Sequence, residues 1–113
     1  MAEHNVSGSR AEGEVADYLK KKGYKIIDTN WQTKWCEVDV IARKDKTIHF
    51  VEVKYRRSDS QGSGFDYITK PKLRKMRLAA NSWVEINSWR GQYVLSAAEV
   101  SGSAFSVVFI SEV

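Results

Sequence analysis

Apolar and polar positions alternate with a period of two along residues 36–55. Cys36, Val38, Val40 and Ala42 interleave with Glu37, Asp39 and Ile41, and His49, Val51, Val53 and Tyr55 with Ile48, Phe50, Glu52 and Lys54. Both runs are rich in β-branched residues and read as strands. The polar cluster Arg43 to Thr47 carries the reversal between them. With the turn centred on Asp45 and Lys46, Ile41 faces Phe50, Asp39 faces Glu52 and Glu37 faces Lys54, all on one side of the sheet.

The period lengthens on either side of this hairpin. Residues Ser9 to Lys22 read as a helix capped by Ser9 and closed by Gly23, with Ala11, Val15, Tyr18 and Leu19 as its apolar stripe. Glu14 falls on or beside the stripe, while Glu12 and Asp17 point elsewhere. Met1 to Gly8 reads as a disordered tail. Tyr24 to Trp31 is a first strand, and Asn30 to Lys34 turns the chain into the hairpin. Thr69 offers an N-cap with Pro71 in the first turn, opening a helix to about Asn87. That helix carries Leu73, Met76, Ala80, Trp83 and Val84 inward and Arg74, Lys75 and Arg77 largely outward. Gln92 to Val100 and Ala104 to Ile110 form two last strands around Ser101-Gly102-Ser103.

The 113 residues allow one domain, 1–113, with a single core. No apolar run is long enough to span a membrane, and Met1 to Arg10 lacks the hydrophobic stretch of a secretory signal, so a cytoplasmic protein is expected. The lone Cys36 excludes an internal disulfide and a cysteine-cluster zinc site, and is expected as an apolar filler.

Charge changes the picture more than composition does. The net +4 is concentrated between Lys54 and Arg77, where eight bases (Lys54, Arg56, Arg57, Lys70, Lys72, Arg74, Lys75, Arg77) stand against Asp59 and Asp66. Beside an acidic cluster this suits a polyanion held against a metal. A solvated helix face, or a surface for an acidic protein, would look the same. Lys70 and Lys72 lie in a first helical turn, where free N–H groups already favour a phosphate. The loop from Tyr55 to Asp66, opened by Arg56 and Arg57, reads as flexible and placed to close over a phosphate backbone, or as a linker. Trp83 and Trp89 are expected in core and edge packing, not as base platforms.

Two carboxylates directly opposed on a strand pair repel, and burying them costs more. A divalent cation removes the objection, since Mg²⁺ is held by one or two carboxylates plus waters and substrate phosphate. Asp39 and Glu52 with Lys54 beside them is the layout of a metal-dependent phosphodiesterase: the metal activates water and the lysine steadies the nucleophile or the developing charge. The competing reading is a wet hairpin face with Glu37 and Lys54 as a surface ion pair, but Ile41 and Phe50 place large apolar groups there, so something covers it. Glu14 could cap a strand, pair with a lysine, or join the metal site.

Glu37-Val-Asp-Val-Ile-Ala followed by Phe50-Val-Glu-Val-Lys-Tyr-Arg resembles the bacterial YraN family of predicted endonucleases, distant relatives of archaeal Holliday junction resolvases within the PD-(D/E)XK, restriction-endonuclease-like superfamily. Gly13 with Glu14, Asn30 with Trp31, and Thr69 to Lys72 match further family motifs. The resemblance implies an α/β fold with a restriction-endonuclease-like αβββαβ core, a central mixed sheet flanked by helices. It implies Asp39 and Glu52 as ligands of Mg²⁺ or Mn²⁺, aided by the Val53 carbonyl, with Lys54 as catalytic lysine and Glu14 as an outer or additional acid. Lys72 would fill the basic helix position and Arg56 would contact the DNA backbone. Cys36 stands where the family has glycine, and Pro71 lies one place later than the family proline.

The function expected is divalent-metal-dependent hydrolysis of phosphodiester bonds in DNA, including branched or structured DNA. The alternative is a non-catalytic nucleic-acid-binding module of the same fold. A junction-type substrate would call for a homodimer, although no self-complementary patch is legible.

Overall fold

In the computed structural model, which describes residues 3–57 and 64–113, the chain runs α1 (Glu3–Lys21), β1 (Lys25–Gln32), β2 (Glu37–Lys44), β3 (Thr47–Arg56), α2 (Lys70–Ile86), β4 (Gln92–Ser101), β5 (Ser106–Ser111). The five strands lie side by side in chain order. Three neighbouring pairs are antiparallel and β3 and β4 are parallel, so α2 is the crossover between them. This mixed α/β sheet with two helices is consistent with the restriction-endonuclease-like core expected.

The two helices cover opposite faces, each over its own cluster. Ala11, Val15 and Leu19 of α1 pack with Val40, Ala42, Val51, Ala98 and Val100. On the other face Met76, Ala79, Ala80 and Trp83 of α2 pack with Val38, Ile41, Ile48, Phe50 and Leu95. Trp83 meets Phe50 edge to face at 5.6 Å, so it is a core residue as expected. Trp89 half-buries at the edge, its indole N–H donating to the Gln92 carbonyl at 3.0 Å with the Arg43 guanidinium over its ring. Gly91 beside it has no room for a side chain: a Cβ there would run into the Trp89 ring and lie 2.9 Å from the Lys46 carbonyl.

Several boundaries differ from the sequence pattern. Helix α1 begins at Glu3, ahead of the expected Ser9 cap, because nothing in residues 3–8 stops helical hydrogen bonding and Gly8 is tolerated within it. The last strand begins at Ser106, not Ala104, since Phe105 and Gly102 both take positive φ in the turn. Helix α2 matches the expected caps: Thr69 Oγ1 accepts from the Lys72 N–H and the helix closes at Asn87. The centre of the loop after β3, residues 58–63, lies outside the described residues. Among the described residues no helix is long and apolar enough to cross a membrane.

Candidate functional site

The hairpin turns at Asp45 and Lys46, with Ile41 opposite Phe50, as the alternation predicts. The paired register of β2 and β3 then ends at Val40 and Val51, so the expected Asp39–Glu52 and Glu37–Lys54 cross-strand pairs do not form. Instead the Asp39 side chain enters the ladder: its Oδ2 accepts the Val53 N–H at 2.8 Å. The carboxylate takes the bond that a strand carbonyl would otherwise make, which satisfies Val53 and separates the strands where like charges would have met. The pleat also breaks here, because Val38 packs under α2 while Val40, two residues on, packs under α1. On β1, Asn30 adopts φ of 52° between Thr29, the partner of Val40, and Trp31, the partner of Val38.

Other acids gather at this opening. Glu12 of α1 shares a hydrogen bond with Asp39, and Glu37 and Glu52 lie close enough to repel both. Burial, then Glu52, pushes the Asp39 carboxyl up to about 7 against the stabilising Val53 bond, with Glu12 and Glu37 adding to the rise. Burial also raises the Glu12 carboxyl, and Glu37 and Glu52 add to it, while its bond to Asp39 works the other way. A hydrogen bond between two carboxyl groups needs a proton on one of them. Asp39 retains one near neutrality.

Among the described residues, Lys72 brings a cation to this group. Its Nζ lies 2.8 Å from Glu52 Oε2. Burial opposes its charge, yet Glu52, followed by Asp39 and Glu37, holds its pKa above the usual lysine value. The pair separates two cavities. A cleft of about 630 Å³ is lined by Asp39, Glu37, Lys75, Met76 and the turn joining β1 to β2. A cavity of about 300 Å³ holds Lys54, Tyr67, Thr69 and Pro71 on the other side. Tyr67 donates to the Ala98 carbonyl at 3.4 Å, and burial, Glu52 and Glu99 raise its pKa, so its hydroxyl stays protonated.

The remaining candidates are spread around this centre. Lys54 is exposed and shares the smaller cavity with Glu52. Glu14 does not join the acids: it turns toward Arg10, whose Nε lies 3.9 Å away, and Glu12 takes the inward position instead. The reason is Ala16, also buried, which shifts the packed face of α1 past Glu14 and onto Glu12. Arg56 does not project to solvent; its Nε meets Glu99 Oε2 at 2.6 Å with side chains only 11% and 14% exposed, and its guanidinium also donates to the Gly64 carbonyl. Arg57, Lys70, Arg74, Lys75 and Arg77 are exposed. Of these Lys75 lines both cavities, whereas Arg77 opens onto a separate hollow with Tyr93 and Glu112. Among the described residues no three His, Cys, Asp or Glu side chains converge closely enough to hold a metal by themselves. Cys36 is half-buried in the β1–β2 turn, its Sγ 3.2 Å from Thr33 Oγ1, and His49 is tied to Ser96 at 3.1 Å, apart from the acids.

Glu12, Tyr67 and Trp35 were not singled out from the sequence. Trp35 is 81% exposed at the rim of the larger cleft. Its signal is an aromatic directly after the polar run Gln32-Thr33-Lys34.

Comparison with known proteins finds a family match over most of the chain. The model of the uncharacterised protein family UPF0102 matches residues 11–110. A UPF0102 protein of Flavobacterium psychrophilum is 40% identical over 87 residues, covering 77% of this chain and 73% of the relative. One from Fusobacterium nucleatum is 35% identical, covering 74% and 70%. Another, from a Synechococcus species, is 32% identical over 98% of this chain and 96% of its own length. With the Glu-Val-Asp and Val-Glu-Val-Lys motifs framing the acidic opening of the hairpin, the chain belongs to family UPF0102, the YraN-like proteins.

Proposed function

We propose that this protein is a divalent-metal-dependent nuclease that hydrolyses phosphodiester bonds in DNA. The observation that carries the reading is the gathering of Glu52, Glu37 and Glu12 around Asp39 where β2 parts from β3, where burial first and then the Glu52 charge keep Asp39 partly protonated at neutral pH. A fold gains nothing from such crowding, and hard cations relieve it.

Asp39, Glu52 and the Val53 carbonyl form an all-oxygen donor set of the kind Mg²⁺ and Mn²⁺ take. In a strand a residue's N–H and C=O point to the same edge, so the Val53 carbonyl faces the opening that its amide faces. Two carboxylates suffice for Mg²⁺, which keeps several waters. When bound, the ion supplies Lewis-acid charge against the phosphoryl oxygens and activates water. Lys54 lines the smaller cavity with Glu52 and would bring its ammonium to the phosphate from that side. Lys75 lines both cavities and positions the strand's backbone charge. Glu12 accepts the hydrogen bond of the proton that Asp39 keeps, and that proton would leave Asp39 as the site gains positive charge.

One observation favours a second reading, a DNA-binding module without catalysis. Lys72 already neutralises Glu52 at 2.8 Å, as a purely structural acid would require. A plasmid-relaxation assay in Mg²⁺ or Mn²⁺ separates the two. Wild type is expected to nick the plasmid, and Asp39→Ala and Lys54→Ala to lose at least two orders of magnitude of rate. Equal relaxation by all three, or DNA binding in EDTA with no cleavage in either metal, overturns the nuclease reading.

A further inference from the structure

The larger cleft combines charged side chains with two exposed apolar ones. Asp39, Glu52 and Lys72 line it half-buried, Glu37 lines it exposed, and Trp35 and Leu78 stand at its mouth, 81% and 59% exposed. They come from different elements, the β1–β2 turn and α2. Neither packs in the two core clusters.

The Lys34 ammonium lies 5.3 Å from the centre of the Trp35 ring. It sits over the ring by a cation–π contact, and so places a positive charge beside an exposed aromatic face. Lys75 adds a second cation along the same cleft. An exposed indole with the Lys34 ammonium against it and Lys75 farther along the same cleft, opening onto the acidic side chains, has the parts of a base-stacking platform: a π-face for the base and cations for its phosphates.

We infer that Trp35 stacks on an unpaired base next to the phosphate held at the acidic site, so that the substrate is DNA carrying a single-stranded segment at the point of cleavage. The inference rests on the nuclease reading for its substrate class. Within a duplex both faces of a base are covered by its neighbours, and a side chain reaches them without an unstacking cost only where a strand is free or frayed. Stacking is indifferent to base identity because every base has a π-face. The platform therefore selects strand state, not sequence.

The test is binding, read by fluorescence anisotropy with Ca²⁺ in place of Mg²⁺. The probes are a labelled single strand, the same sequence as a blunt duplex, and a strand of abasic sites. Trp35→Ala is expected to weaken the single-strand complex by between about five- and a hundredfold, the range of one base stack. Trp35→Phe should stay within about threefold of wild type, and duplex binding should change less than about twofold. The abasic strand should bind wild type about as weakly as the normal strand binds Trp35→Ala. Being on the surface, Trp35 can be replaced without touching the core. If Trp35→Ala holds the single strand as tightly as wild type, or loses strand and duplex alike, the inference is overturned while the nuclease reading stands. Trp35-dependent strand binding without cleavage in Mg²⁺ or Mn²⁺ supports the platform and overturns the nuclease reading.

Discussion

Replacing Asp39 by asparagine removes the charge that the fold resists while keeping an oxygen to accept the Val53 N–H. The Asp39 carboxyl is raised from 3.8 to about 7 in the folded protein. Below pH 3.8 it is protonated in both folded and unfolded chains and adds no slope. Between 3.8 and about 7 the unfolded chain releases the proton and the folded one keeps it. Wild-type stability therefore falls as pH rises, by up to ~1.4 kcal/mol per pH unit. Above about 7 both states are ionised and the loss is complete. Over roughly 3 pH units the loss reaches about 4 kcal/mol, and water entering the cleft reduces it toward about 2 kcal/mol. Urea unfolding of wild type and Asp39→Asn from about pH 4 to pH 8 isolates this contribution, since other titrating groups largely cancel between the two proteins. The stability of the variant relative to wild type should climb by about 2 to 4 kcal/mol across that range. Millimolar Mn²⁺ should restore wild type at the alkaline end and leave the variant unmoved. A difference that stays flat with pH, or runs the other way, refutes the crowded-carboxylate account.

Other predictions address the neighbours. Arg56→Ala strands Glu99 in a largely buried setting and should lower stability by about 3 kcal/mol in urea unfolding, with Mn²⁺ affinity within about twofold of wild type. Lys72→Met frees Glu52 from its ammonium partner and should tighten Mn²⁺ binding at least threefold by calorimetry, even as it weakens DNA binding. Glu14→Gln should change neither stability by more than about 0.5 kcal/mol nor plasmid relaxation, whereas Glu12→Gln should lower Mn²⁺ affinity severalfold. Gly91→Ala forces a methyl group against Trp89 and the Lys46 carbonyl and should cost about 1 to 3 kcal/mol by thermal unfolding.

The hairpin was legible because period-two alternation and a polar turn are local properties, and the Ile41–Phe50 register follows once the turn is placed at Asp45 and Lys46. Helix α2 was legible for the same reason, through Thr69, Pro71 and its inward-facing Met76 and Trp83. The parting of β2 from β3 was not. It arises when a side chain outcompetes the backbone for Val53, which no periodicity records. A stripe through Tyr18 favours Glu14 over Glu12; the small Ala16, whose burial only packing reveals, turns that stripe toward Glu12. The family resemblance and the basic run both point Arg56 toward DNA, whereas its partner Glu99 lies 43 residues away on the parallel strand β4.

Because Asp39 Oδ2 serves as the acceptor that closes the strand pair at Val53, sheet integrity here depends on the carboxylate proposed as a metal ligand. Anything drawing that oxygen away must give the amide a new acceptor or leave it to solvent. Deuterium uptake at the single Val53 amide is therefore an internal gauge of the opening, readable without substrate or turnover.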